Sequence, residues 1–154
     1  MKSHLRTYYK KSLNKIEKMI KIYSKKEPNT LLHLVSRLDE INERTNISPE
    51  NEFLQLASLK MKKGTTFEAH KHIILEKTTN IAQESWLVFK GSVKCIFYDL
   101  DDTIIAEPIL KPGDISMTFR GGHNYLILED DTIVYEYKTG PYLGQKMDKV
   151  FLNK

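Results

Sequence analysis

A chain of 154 residues with 40% hydrophobic and 29% charged residues is sized for one soluble domain with a substantial core. No apolar run approaches the roughly 18–20 residues that a helical membrane span requires, and no apolar stretch follows the basic N-terminus as a secretory signal would need. The formal charge of +4 is unevenly carried, and the single cysteine, Cys95, excludes an intrachain disulfide and fits a reducing, cytoplasmic setting.

Residues 1–26 set a run of lysines against one acid, Glu17. Leu5, Tyr9, Leu13, Ile16, Ile20 and Tyr23 recur at three- and four-residue steps, which predicts an amphipathic helix with a solvated lysine face. An anionic surface is the alternative partner for that face. A single arginine, Arg6, and sparse aromatics argue against specific nucleic-acid recognition. Pro28-Asn29-Thr30 interrupts the pattern, and Asn29 or Thr30 caps a second predicted helix with its stripe at Leu31, Leu34, Val35, Leu38 and Ile41. Residues 1–46 therefore read as a helical extension to a domain over 47–154. The first stripe needs a surface, which predicts packing on that domain or on a second copy in a homodimer.

From Phe53 the period becomes that of strands. The alternation predicts strands at 53–61, 67–75, 84–90, 92–99, 103–109, 115–119, 123–129 and 132–138. Turn residues separate them at Lys62-Lys63-Gly64, Lys90-Gly91, Asp99 to Asp102, Lys111-Pro112-Gly113, Gly121-Gly122 and Glu129-Asp130-Asp131. Short strands at such regular spacing define a sandwich or barrel. Cys95 falls in an apolar strand and reads as a small buried hydrophobe rather than a nucleophile.

Within these strands, His70 and His72 stand two residues apart, so on a strand both imidazoles share a face. Their Cα atoms would lie roughly 7 Å apart, close enough for both rings to turn onto one metal. Alternation from Glu84 places Trp86 and Val88 on its own face, which turns that carboxylate inward. A buried carboxylate requires a partner, and either a metal or hydrogen-bonded histidines would serve.

Gly64, five residues and His70-Lys71-His72, then Glu84, six residues and Gly91, resemble the two halves of the first cupin motif. Pro112-Gly113-Asp114 with Gly121-Gly122-His123 resembles the second motif in reduced form. The resemblance covers about residues 53 to 138. It departs from the pattern in the eleven residues between His72 and Glu84, in Glu76 as a competing carboxylate, and in the missing proline and asparagine of the second motif. It implies a mainly β fold, a double-stranded jelly-roll barrel, here with the N-terminal α-helical extension. It further implies a divalent metal held by His70, His72, His123 and Glu84. Three imidazoles and a carboxylate suit Fe, Mn, Ni or Zn alike.

Further pocket candidates are Arg120, Trp86, Tyr125, Tyr98 and Tyr135. Arg120 precedes the two glycines at the expected mouth, where a guanidinium would fork onto phosphate or carboxylate; a surface ion pair is its plainer role. Glu84-Ser85-Trp86, Gly121-Gly122-His123-Asn124 and Tyr135 through Tyr142 are similar to a group of small bacterial cupins encoded beside enzymes of surface-polysaccharide and nucleotide-sugar biosynthesis. This similarity implies a sugar-like small-molecule substrate. Two function classes follow. One is an isomerase, epimerase or dioxygenase acting on a nucleotide-linked or phosphorylated sugar, metal-dependent or using His70 or His72 as base and Tyr135 or Tyr98 as acid, with Glu84, Tyr98 and Tyr135 as the catalytic set. The other is a non-catalytic cupin binding a small sugar or acid.

Overall fold

The computed structural model describes residues 19–152. Its first elements are strands, where the sequence pattern predicts helices. Met19–Tyr23 forms β1 and Leu31–Ser36 forms β2, an antiparallel hairpin with Met19 opposite Ser36 and Ile22 opposite His33. Pro28-Asn29-Thr30 belongs to the hairpin loop. There the Ser24 N–H donates to the Thr30 carbonyl at 3.0 Å, and the Ser24 hydroxyl accepts from the N–H groups of Lys26 and Glu27.

The physical reason lies in β2 itself. Leu31 through Ser36 are buried at every position. A short apolar run covered on both faces has no period-two signature, and periodicity alone does not separate it from a buried helix. Of the expected second helix only a single 3-10 turn, Leu38–Glu40, is present. Leu5, Tyr9, Leu13 and Ile16 of the first stripe lie outside the described residues.

Thr45–Asn46 (β3) and Ala57–Ser58 (β4) form a minimal antiparallel pair. No strand or helix lies between Ser58 and Glu84. The strand expected at 67–75 is therefore not formed, and that at 53–61 is reduced to β4. Residues 59–78 are exposed throughout and join no ladder.

The remaining strands fall close to their predicted places: β5 Glu84–Lys90, β6 Val93–Tyr98, β7 Ile104–Ala106, β8 Ile109–Leu110, β9 Ile115–Thr118, β10 His123–Ile127 and β11 Ile133–Lys138. A short helix, α1, spans Gln145–Asp148. The larger sheet runs β1-β2-β9-β5-β11, and the smaller runs β10-β6-β7 with β8 also on β6; every pairing is antiparallel. The protein is mainly β, and no described helix is long and apolar enough to cross a membrane.

Two apolar clusters hold the larger sheet. One joins it to the smaller sheet through Ile22, Val35, Val88, Val93, Cys95, Phe97 and Leu110. The other gathers Leu31, Leu34, Met117 and Phe119 with Ile47, Leu54 and Leu56 from the stretch after β3. Complete burial pushes the Cys95 thiol up to about 12, with a Ser116 hydrogen bond offsetting part of it, so it stays protonated and packs as an apolar group. Pro112-Gly113-Asp114 ties the turn before β9 to the residues after β2. The Asp114 carboxylate accepts from Arg37 at 2.7 Å and from the N–H groups of Leu38 and Lys111 at 3.1 and 3.0 Å. That part of the second motif is structural.

Candidate functional site

The starts of β5 and β10 meet at one end of the sheets. Glu84, the first residue of β5, lies opposite Thr118 on one side and Lys138 on the other. His123 opens β10 opposite Phe97. The preceding glycines allow this. Gly121 adopts φ +76°, and a Cβ there would stand 2.5 Å from the Tyr98 carbonyl oxygen. The Tyr98 N–H in turn donates to the Gly122 carbonyl at 2.8 Å. The two glycines thus lie against the Tyr98 backbone and aim the next side chain inward.

His123 Nε2 lies 3.2 Å from Glu84 Oε1, and the Trp86 indole N–H donates to the same oxygen at 3.2 Å. Burial pushes the Glu84 carboxyl up, but the His123 hydrogen bond and charge, followed by Lys149 and Lys138, outweigh it and hold the group below its usual range. Glu84 is therefore an ionised acceptor at neutral pH. In the neutral ring His123 Nε2 must then be the donor, which leaves Nδ1 as the basic nitrogen.

The Trp86 N–H is shared with Glu136 Oε2 at 3.3 Å. Its ring stacks on Tyr125 at 3.9 Å between centroids, and the Tyr125 hydroxyl meets that of Ser116 at 3.3 Å. Burial raises the Tyr125 phenol well above its ordinary range; Ser116 offsets part of this, and the Cys95, Glu84 and Glu136 charges add to it. Glu84, Trp86, His123, Tyr125 and Glu136 border a cleft of about 640 Å³, which Tyr98, Arg120, Gln145 and the residues from Asp148 to Leu152 also line.

Beneath the cleft lies His33, a residue that the sequence reading placed within a helix and gave no role. It is fully buried, with Nε2 3.0 Å from the Tyr98 carbonyl, Nδ1 3.1 Å from the Thr118 hydroxyl, and its ring stacked on Phe97 at 4.3 Å. The carbonyl can only accept, so Nε2 carries the proton and Nδ1 accepts from Thr118. Burial lowers its pKa to about 4; repulsion from His123 acts in the same direction, and the Tyr98 carbonyl and Asp99 oppose both.

The structure gathers some of the expected site residues and separates others. Glu84, Trp86, Tyr98, Arg120, His123 and Tyr125 all reach the cleft. Tyr135 is not among its lining; it is exposed on β11, edge-on to Phe89, while its neighbour Glu136 lines the cleft instead. Alternation along β11 explains the exchange. His70, His72 and Glu76 lie on the exposed stretch after β4, where the two imidazoles meet edge to face at 5.6 Å and the His70 Nδ1–H donates to the Glu68 carbonyl. Among the described residues no group of three or more His, Cys, Asp or Glu side chains is close enough to hold a metal ion. His70, His72 and Glu76 are thus not among the cleft lining with Glu84 and His123, and hydrogen bonds from His123 and Trp86 compensate the buried Glu84 charge.

Arg120 makes an ion pair, its plainer role, here with a buried carboxylate. Its Nη1 lies 2.6 Å from Oε1 of Glu52, a buried residue whose other oxygen accepts from Gln83 Nε2 at 2.6 Å. Gln83 Oε1 accepts from the Leu54 N–H, which pins the stretch after β3 beside the cleft. Glu52 lies outside every motif, and Glu136, inside the stretch from Tyr135 to Tyr142, was given no role there. Comparison with protein-family models, curated proteins and solved structures finds no match to this chain.

Proposed function

We propose that the chain is a ligand-binding protein of the cupin jelly-roll type, and that its cleft takes a small carbohydrate-type ligand. The observation that carries this reading is the His123–Glu84 hydrogen bond at 3.2 Å, set beside the stacked Trp86–Tyr125 pair in one cleft. A volume of about 640 Å³ falls within the range of small-molecule sites. The aromatic pair offers an apolar wall for a sugar face, and the carboxylates offer acceptors for hydroxyl groups.

The pair also supports acid–base chemistry. Glu84 fixes the His123 tautomer and stabilises the imidazolium that forms when Nδ1 takes a proton from a bound sugar. Tyr98 also borders the cleft but keeps its hydroxyl buried, so the same imidazolium returns the proton. This is the chemistry of an isomerase or epimerase. A binding module without turnover needs only the wall and the acceptors.

The test is calorimetric titration of the full chain with a panel of monosaccharides and nucleotide sugars, followed by NMR in D₂O. Binding is expected for at least one sugar and is expected to fall at least tenfold in a folded Trp86→Leu variant. An enzyme incorporates solvent deuterium at a sugar C–H. His123→Asn should abolish that exchange while changing affinity only a few-fold. Binding without exchange assigns the non-catalytic class, and no binding across the panel overturns the carbohydrate reading.

A further inference from the structure

We infer that Glu52 sets the charge specificity of the cleft: by occupying Arg120 it makes the site select uncharged sugars over phosphorylated or carboxylated ones. The inference rests on the carbohydrate reading for its ligand and on separate observations for its sign.

Arg120 is the arginine at the cleft, and an arginine there would ordinarily be the natural partner of a phosphate. Its guanidinium is instead held by Glu52 at 2.6 Å. The Glu52 side chain is 7% exposed against 38% for Arg120, so the carboxylate is the buried and immobile member of the pair. Gln83 holds its second oxygen at 2.6 Å, so both carboxylate oxygens of Glu52 are engaged. A ligand phosphate would have to displace a buried carboxylate whose one cationic partner among the described residues is Arg120 itself.

The rest of the lining adds to this. Glu84, Asp99, Asp102, Glu136 and Asp148 face the cleft against Lys149, and Lys149 itself lies 4.0 Å from Asp148. An anion entering the cleft meets an excess of negative charge in a partly desolvated space, whereas hydroxyl groups find acceptors.

The experiment is calorimetry on the full chain with three probes: D-glucose, glucose 6-phosphate and inorganic phosphate. The native chain is expected to bind the phosphorylated sugar at least tenfold more weakly than the neutral one, and to show no saturable phosphate binding. Glu52→Gln keeps an oxygen for Gln83 but removes the charge. It is expected to gain phosphate binding and to raise glucose 6-phosphate affinity about tenfold or more, the scale of one charge-assisted contact. The double variant Glu52→Gln with Arg120→Gln should lose that gain. A native chain that prefers the phosphorylated sugar overturns the inference without any variant. So does a folded Glu52→Gln protein that gains nothing toward phosphate. If neither sugar binds, the carbohydrate reading fails, yet phosphate still reports whether Glu52 masks Arg120.

Discussion

Lowering the pH below about 6.5 should destabilise the fold, because burial keeps His33 neutral down to about pH 4. Its pKa is near 4 in the folded chain and 6.5 when exposed. Between those values the unfolded chain binds more protons than the folded one, so stability rises with pH across the window and is lost as pH falls through it. At about 1.4 kcal/mol per pKa unit, the full difference amounts to roughly 3 kcal/mol. The ring is fully buried and satisfied at both nitrogens, so solvent does not screen the effect. Asp99, Asp101 and Glu84 have lowered pKa values and lose their contributions only as pH falls below about 4.5, which separates the two processes. Urea unfolding at pH 7, 6, 5 and 4.5 would measure the slope. His33→Gln, less stable at pH 7, should flatten it. A native chain equally stable at pH 7 and 4.5, or a Gln variant that keeps the full slope, would refute the reasoning.

Two further outcomes follow from the glycine step and the exposed stretch. Gly121→Ala places a methyl group against the Tyr98 carbonyl at a positive φ and should cost about 2 kcal/mol or more in urea unfolding; a change under 0.5 kcal/mol would show that the turn relaxes. His70→Ala and His72→Ala, both on exposed chain, should leave stability within about 0.5 kcal/mol and sugar titrations unchanged. Loss of binding comparable to that in Trp86→Leu would mean that the stretch closes over the cleft.

β5 and β6, which fall in different sheets, were legible as apolar runs on either side of the Lys90-Gly91 turn, and the period of two puts Glu84, Trp86 and Val88 on one face. β1 carries that alternation too, Ile20 and Ile22 against Lys21 and Tyr23, but helical spacing continuing from Leu5 masked it. β2 has no alternation to read, being buried on both sides. The motif implied Glu84 and His123 in one site as metal ligands, whereas the two meet in a direct hydrogen bond. An ion pair at Arg120 was among its expected roles but its partner was not legible, because Glu52 precedes it by 68 residues and local sequence carries no trace of such a partner. The strand predicted at 67–75 has the right pattern but joins no neighbour, and a strand needs both.

The pairing of β2 with β9 also sets a sequence of events during synthesis. His33 meets Thr118 across 85 residues, so the most apolar segment near the front of the chain is made long before its partner. Until Ile115–Thr118 leaves the ribosome, Leu31, Leu32, Leu34 and Val35 have only β1 on one edge and no sheet beneath them. β7 and β8 pair with β6 close by in sequence and can assemble before the larger sheet is complete. The nascent hairpin is thus the segment with most need of chaperone cover, and it joins the larger sheet as its β1–β2 side only when β9 is available.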